Sequence, residues 1–211
     1  APTVAATAAP GASGAPKRGG ELVVMETIRR LDDPASTQWT QFNIYRNVAE
    51  YLVVINQDNV SVPWLLESWE PSEDLQTWTL NLRKGIQFNH GPELTADDVV
   101  FSIKRWLDPD TGSSTAGLMS YLQPDNIKKV DDYTVELTLD SPQIAVPEHL
   151  SSYPNVILSE DFEGNWTDNP VGTGPYTLEE YIVEERAVLK RREGYWRDGE
   201  DGEPLPYMDG I

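Results

Sequence analysis

The sequence predicts an α/β fold, because strand-like and helix-like stretches alternate along the chain. Apolar and polar residues alternate over 77–82, which is typical of a half-buried strand. Apolar side chains recur at helical spacing over 95–107, which predicts an amphipathic helix. Residues 176–191 contain two further alternating stretches and predict a second pair of strands.

The N-terminal quarter predicts a tether, a strand and a helix in that order. Residues 1–18 are mostly Ala, Pro, Thr, Gly and Ser, and such a segment cannot bury enough apolar surface to become ordered. We therefore expect residues 1–18 to form a disordered Ala/Pro-rich tether. Residues 20–25 predict the first strand, which residues 31–34 interrupt, and the apolar spacing over 43–55 predicts a helix.

The centre of the chain predicts a strand pair followed by a capped helix. After the apolar segment 62–69 and the strand at 77–82, Lys84-Gly85 indicates a turn, and Ile86 and Phe88 continue the alternation in a second strand.

Thr95 is placed to cap the following helix, with Asp98 three residues later as a capping box. Asp97 and Asp98 also suit the positive end of the helix dipole. Asp108-Pro109-Asp110 predicts the helix end, close to Leu107.

The C-terminal half predicts more strands than helices. A turn and strand are expected over 131–139, and residues 142–154 are less regular. Gly172 and Gly174 suggest a tight turn, since glycine adopts backbone conformations that other residues resist. A phosphate-binding loop is not predicted there, because no Lys-Ser/Thr follows and the chain enters a strand from residue 176 instead of a helix.

Composition excludes several classes of protein. The net charge of -19 and the pI of about 4.3 argue against binding to nucleic acid or to an anionic membrane surface. The absence of cysteine excludes disulfides and a thiol nucleophile. His90 and His149 have no neighbours at metal-binding spacing, so we expect both to be loop or surface residues.

Two other functional readings stay open at the level of sequence. A glycosidase or carbohydrate-binding module would suit the many tryptophans and the adjacent carboxylate pairs. These pairs are Asp97/Asp98, Glu179/Glu180 and Glu184/Glu185. A calcium site could use oxygen ligands from residues 161–168, namely Asp161, Glu163, Asn165 and Asp168, although their spacing lacks the twelve-residue loop pattern. A nucleophilic hydrolase is disfavoured because no Gly-x-Ser-x-Gly motif occurs.

Two motifs carry a family resemblance. The segment Leu82–Ser102, and the segment Asn169–Tyr176 followed by Gly194-Tyr195-Trp196, together resemble the solute-binding proteins of bacterial peptide-type ABC importers, extracellular solute-binding family 5. Shorter matches, such as Leu66-Glu67-Ser68-Trp69-Glu70, extend the resemblance over most of residues 19–211.

The resemblance implies a periplasmic-binding-protein-like fold of type II, cluster C. In it, residues 19–42 and 155–211 would form the incomplete mixed β-sheet of lobe I, and residues 43–154 an inserted α+β subdomain. Family members are usually more than twice as long, so lobe II is expected to be absent from this chain.

The function implied by the resemblance is binding and delivery without catalysis. The protein would capture a small solute, most often an oligopeptide, and pass it to the transmembrane subunits of an ABC permease. It would need no cofactor, bind no nucleic acid and act as a monomer. It would work in the periplasm or on the outer face of the cytoplasmic membrane, anchored there by a lipid.

The resemblance also suggests where the solute lies. The loop after the first strand would form one wall, with its backbone pairing with an extended ligand and Trp39 stacking on it or narrowing the pocket. The expected contacts in this loop are Thr37, Gln38, Trp39 and Thr40. Two later segments could also face the ligand, through Leu118, Tyr121, Ser152 and Tyr153.

Overall fold

The computed structural model describes residues 16–29, 33–36 and 42–211. In these ranges the helices are α1 (Phe42–Val48), α2 (Ala96–Leu107), α3 (Ser114–Leu118) and α4 (Val146–Leu150), with short 3-10 turns at Pro34–Ser36 and Pro109–Thr111. The strands are β1 (Val53–Ile55), β2 (Ser61–Pro63), β3 (Leu66–Pro71), β4 (Thr77–Leu82), β5 (Leu122–Asp131), β6 (Thr134–Leu139), β7 (Tyr176–Ile182) and β8 (Arg186–Arg191).

A four-stranded antiparallel sheet in the order β3-β4-β6-β5 forms the centre of the first core. The alternation predicted for residues 77–82 is confirmed, since every second residue of β4 is buried, and β6 shows the same pattern. The two strands pair their buried faces, with Trp78 opposite Leu137 and Leu80 opposite Val135. The sheet thus presents one continuous apolar face, on which Ile103 and Trp106 of α2 pack.

Helix α2 begins and ends where the sequence predicts. The Asp97 amide donates to Thr95 Oγ1 (3.3 Å), and the Thr95 amide donates to Asp98 Oδ2 (2.8 Å), which completes the capping box. Asp98 Oδ1 also accepts from the Glu160 amide (2.9 Å), so the cap joins α2 to a distant loop. Burial raises the pKa of Asp98, and these backbone donors oppose the rise.

The second strand predicted through Ile86 and Phe88 is wrong. Both side chains are buried, as the alternation indicates, but the backbone forms only an isolated bridge between Gln87 and Glu93. The Phe88 amide donates to the Pro92 carbonyl (2.8 Å), so the chain reverses at once and leaves no room for a longer ladder.

The strand predicted over 20–25 is also not formed. The Leu22 amide donates to the Gly210 carbonyl (3.0 Å), and Glu21 and Gly210 form a single parallel bridge. Beyond Leu22 the described chain offers this segment no partner strand, and Val23 and Met25 are exposed. A ladder needs a neighbouring backbone, which alternation within one segment cannot supply.

The helix predicted over 43–55 is shorter than expected, because α1 ends at Val48 and β1 begins at Val53. The Gly174 amide donates to the Val48 carbonyl (2.8 Å), which occupies a carbonyl at the end of the helix. Residues 53–55 then pair with β2, so a strand partner outweighs the local helical spacing.

Gly172 and Gly174 are required by close packing and not by unusual backbone angles. Neither has a positive φ, which corrects the expectation from sequence. A Cβ on Gly174 would lie 2.7 Å from the Asn47 carbonyl oxygen, and one on Gly172 would overlap the Val48 carbonyl. The two glycines therefore let residues 172–174 lie directly against the end of α1.

A second core forms around the β7–β8 hairpin, which confirms the strands predicted within residues 176–191. It contains buried side chains of α1, the 156–166 segment and the hairpin. Gly210 bridges Lys190 of β8, so the C-terminal segment lies between β8 and the Glu21 bridge. The division of the chain into residues 19–42, 43–154 and 155–211 stays a prediction.

Candidate functional site

The loop predicted to contact the ligand is not among the described residues, although residues on both sides of it are. Thr37, Gln38, Trp39 and Thr40 lie outside the described residues. On the N-terminal side, Asp33 accepts a hydrogen bond from the Ala35 amide (2.9 Å) and is paired with Arg105 of α2. The long helix therefore fixes the chain where it enters the loop.

On the other side of the loop, Phe42 lies in a cluster of three aromatic side chains. Its ring contacts Tyr153 edge-on, with centroids 6.0 Å apart, and Tyr51 at 6.1 Å. The Tyr51 hydroxyl donates to the Tyr153 carbonyl (3.1 Å). These three residues form an aromatic cluster (Phe42, Tyr51 and Tyr153). Through it Tyr153, a predicted ligand contact, lies against Phe42, the first described residue after the loop.

Tyr121 and Ser152 belong to a neighbouring polar network. The Tyr121 hydroxyl lies 2.8 Å from His149 Nδ1. The side chain of Asn155 donates through Nδ2 to the His149 carbonyl (2.8 Å) and accepts at Oδ1 from Thr115 Oγ1 (2.5 Å). The backbone amide of Asn155 donates to the Ser152 carbonyl (2.9 Å). This polar network (Thr115, Tyr121, His149, Ser152 and Asn155) ties α3 to α4 and to the loop that carries Tyr153.

Burial sets the protonation of this network. It lowers the pKa of His149 and raises the pKa of Tyr121. A neutral imidazole that accepts at Nδ1 and a protonated phenol that donates are therefore the compatible pair. Sequence reasoning missed this role for His149, because its partners Tyr121 and Asn155 lie on either side of it without any characteristic spacing.

Leu118 is less closely tied to the other predicted contacts. It lies at the C-terminal end of α3 and is 41% exposed, whereas Met119 beside it is fully buried. Tyr121 and Ser152 thus belong to the polar network, and Tyr153 follows Ser152 in the chain and belongs to the aromatic cluster. Leu118 instead lies on the surface of α3, the helix that contains Thr115.

A buried carboxylate forms a second notable site, which sequence reasoning missed. Glu50 is 3% exposed and accepts hydrogen bonds from the Tyr195 hydroxyl (2.5 Å), Trp64 Nε1 (2.7 Å) and Trp196 Nε1 (2.9 Å). Burial raises the pKa of Glu50, and the three donors oppose that rise. Because an indole nitrogen can only donate, the donor set matches the ionised carboxylate.

Glu50 lies shortly before β1, and its hydrogen bonds join this part of the chain to the Gly194-Tyr195-Trp196 motif. The three donors are 14, 145 and 146 residues away in sequence, so no local pattern could reveal them. The three hydrogen bonds make the carboxylate a structural link between distant parts of the chain.

The paired carboxylates proposed for a glycosidase are mostly engaged in structural contacts. Five of the six accept from a backbone amide or pair with a cation: Asp97, Asp98, Glu179, Glu180 and Glu185. A catalytic pair needs two carboxyl groups facing a shared substrate site, which these contacts do not provide.

Metal and membrane sites find no support in the described part of the chain. No three His, Cys, Asp or Glu side chains there come together as metal ligands, and this includes the calcium candidates Asp161, Glu163 and Asp168. Among the same residues, every helix is too short or too polar to cross a bilayer.

Comparison with known proteins shows the family to which the chain belongs. Residues 61–211 match the model of the bacterial extracellular solute-binding proteins, family 5 Middle. The periplasmic oligopeptide-binding protein OppA of Escherichia coli is 33% identical in a match that covers 81% of this chain and 35% of OppA. The chain thus spans about a third of the length of this relative.

Two solved structures share the fold. The binding protein DppA from Helicobacter pylori in complex with the peptide STSA is 27% identical, with a TM-score of 0.76, over 92% of this chain and 42% of that one. AgaA of A. tumefacien R10 in complex with agropinic acid has the same identity and TM-score over 88% of this chain and 37% of its own. Both are periplasmic binding proteins with a mixed α/β fold, as the sequence predicted.

With the family model matched over residues 61–211 and a relative at 33% identity, this chain belongs to the bacterial extracellular solute-binding proteins of family 5.

Proposed function

We propose that this chain supplies one wall of the solute site of an ABC importer, and that the solute is a short peptide. The observation that carries the proposal is the match over 92% of the chain to a protein whose structure contains the peptide STSA. The names of the curated relatives support the same class of ligand, since OppA is an oligopeptide-binding protein and another E. coli relative is a dipeptide-binding protein.

In this proposal the wall is formed by the loop 37–40 and by Leu118, Tyr121, Ser152 and Tyr153. The aromatic cluster supports the arrangement, because Phe42 packs on Tyr153 immediately after the loop. The loop backbone pairs with an extended peptide as an added strand, and the tyrosines provide apolar faces with polar ends. The polar network holds Ser152 and Tyr121 in position beside them.

The proposed mechanism is closure of two lobes around the solute, followed by delivery of the closed form to the transmembrane subunits of a permease. The protein acts as a monomer outside the cytoplasmic membrane, is anchored by a lipid, and changes no bond in its cargo. Because this chain spans about a third of OppA, the opposite wall corresponds to parts of the relatives that it does not match.

A titration followed by NMR tests the proposal. We expect the tetrapeptide Ser-Thr-Ser-Ala to shift backbone amides near Tyr121, Ser152 and Tyr153, with a dissociation constant of about 1 mM or weaker because one wall makes only part of the contacts. The peptide should be recovered intact by mass spectrometry. A maltotetraose control should cause no such shifts.

Three results would count against the proposal. Shifts confined to other surfaces would remove the assigned wall. Micromolar affinity for the peptide would show that this chain needs no second wall. Cleavage of the peptide would show that the protein does chemistry on it.

A further inference from the structure

One basic side chain, that of Arg46, lies against the aromatic cluster. Arg46 is an exposed residue in the last turn of α1, and its guanidinium carbon lies 5.3 Å from the centroid of the Phe42 ring. The same charge acts on a second member of the cluster. Burial raises the pKa of Tyr51, and the positive charge of Arg46 opposes that rise. A cation–π contact of this kind holds the guanidinium over the ring and leaves its N–H groups available to an acceptor.

The Arg46 guanidinium has no carboxylate partner within 4.0 Å among the described residues. Glu26, which accepts from Asn43 one turn earlier on α1 (3.0 Å), does not pair with it. Several other described basic residues also lack an ion pair, so this observation alone does not single out Arg46. Its position does, because among the described cations that lie over an aromatic ring, Arg46 is the one that contacts the aromatic cluster.

We propose that Arg46 binds the terminal carboxylate of the peptide held at the solute wall. This inference rests on the proposed function, because it assigns one end of the same solute. A peptide ends in a carboxylate, and a guanidinium binds a carboxylate through paired, charge-assisted hydrogen bonds. The chain as a whole has a net charge of -19 and repels an anionic group, so a cation beside the wall is where the carboxylate is best accommodated.

The spacing of the cluster suits a short peptide. The Phe42 ring lies 6.0 Å from the Tyr153 ring and 5.3 Å from the Arg46 guanidinium. An extended tetrapeptide spans about 13 Å, so one such solute can contact Tyr153 and place its carboxylate at Arg46.

A structural role for Arg46 makes a different prediction. A cation in the last turn of a helix also suits the negative end of the helix dipole, so Arg46 could stabilise α1 without touching the solute. Loss of a structural cation would weaken the binding of all peptides alike. Loss of a carboxylate partner would weaken only peptides that carry the carboxylate. Comparison of Ser-Thr-Ser-Ala with its C-terminal amide therefore separates the two roles.

NMR titrations with the acid and amide forms of this peptide test the proposal at about 0.05 M salt, where screening is weak. We expect the unaltered chain to bind the acid at least about threefold more tightly than the amide. Arg46→Gln should bind both forms equally. Arg46→Lys should keep part of the preference, because it keeps the charge but loses the planar fork. The matched control Lys128→Gln removes a positive charge from an exposed residue of β5 and should keep the full preference.

The salt dependence of the unaltered chain gives a second measurement that needs no variant. At about 1 M salt, where the screening length falls to about 3 Å, the preference for the acid should shrink. Equal binding of acid and amide by the unaltered chain would overturn the role of Arg46 and leave the peptide-binding function standing. A preference that survives in Arg46→Gln would overturn it in favour of another cation. If neither form binds, the proposed function fails and this assignment fails with it.

Discussion

Glu50 is a buried carboxylate surrounded by three hydrogen-bond donors, and its contribution can be isolated with one substitution. In Glu50→Gln the amide group places N–H bonds where Trp64, Tyr195 or Trp196 already donates. One donor must lose its acceptor while it stays buried, which costs about 1–3 kcal/mol. Urea unfolding should therefore show a lower free energy of unfolding for this variant.

The control is Glu67→Gln, at an exposed position. It should change the free energy of unfolding by less than about 0.5 kcal/mol. Equal stability of Glu50→Gln and the unaltered chain would mean that the three donors do not depend on a carboxylate.

His149 gives the molecule a pH dependence with a defined sign. Burial lowers the pKa of the folded imidazole below its unfolded value of about 6.5. On acidification the unfolded state therefore binds the proton first. The stability contributed by the neutral imidazole is present above the unfolded pKa and is lost as the pH falls through the folded pKa.

The variant His149→Gln should remove this part of the pH dependence. Melting temperatures measured between about pH 7.5 and pH 5 should fall less steeply for the variant than for the unaltered chain. Parallel curves would show that the imidazole is not linked to folding in this range.

At the scale of elements, the contact between the α1 C-terminus and residues 172–174 depends on two missing side chains. Gly172→Ala or Gly174→Ala forces a methyl group into the backbone of Asn47 and Val48. We expect a loss of about 1–3 kcal/mol or more in the free energy of unfolding, because backbone cannot yield as a flexible side chain can.

Gly117→Ala is the matched control for this prediction. Gly117 lies in α3, and a Cβ there would meet no atom within 4 Å. Alanine favours the helix, so this variant should be as stable as the unaltered chain or up to about 1 kcal/mol more stable. Similar behaviour of the control and of Gly174→Ala in chemical denaturation would disprove the close-packing account.

Elements whose stabilising contacts are local were predictable from sequence. The capping box of α2 and the alternation of β4 involve residues within a few positions of one another, and both are confirmed. The predictions over 20–25, 43–55 and 86–88 were wrong in extent, because backbone partners far from or outside each segment determine how long its strand or helix becomes. Those partners, at Gly210, Gly174 and Pro92, leave no trace in the segment itself.

For the molecule as a whole, the sequence motifs predicted the family and the α/β fold, and both are confirmed by the comparisons. Individual ligand contacts stay predictions. In the structure His149 contacts Tyr121, Asn155 contacts Ser152, and Tyr51 contacts Tyr153, but these partners could not be found from spacing. Long-range hydrogen bonds of this kind become visible only once the chain is folded.

The proposed wall can be tested most directly by photo-crosslinking. A Ser-Thr-Ser-Ala peptide that carries a diazirine group should label the chain, and digestion with mass spectrometry should locate the label. The account predicts cross-links within residues 37–40 and at Leu118, Tyr121, Ser152 and Tyr153, competed away by unlabelled peptide, with the peptide backbone intact. Labelling spread over unrelated surfaces, or a peptide cut during the incubation, would contradict the view that this chain holds a peptide without altering it.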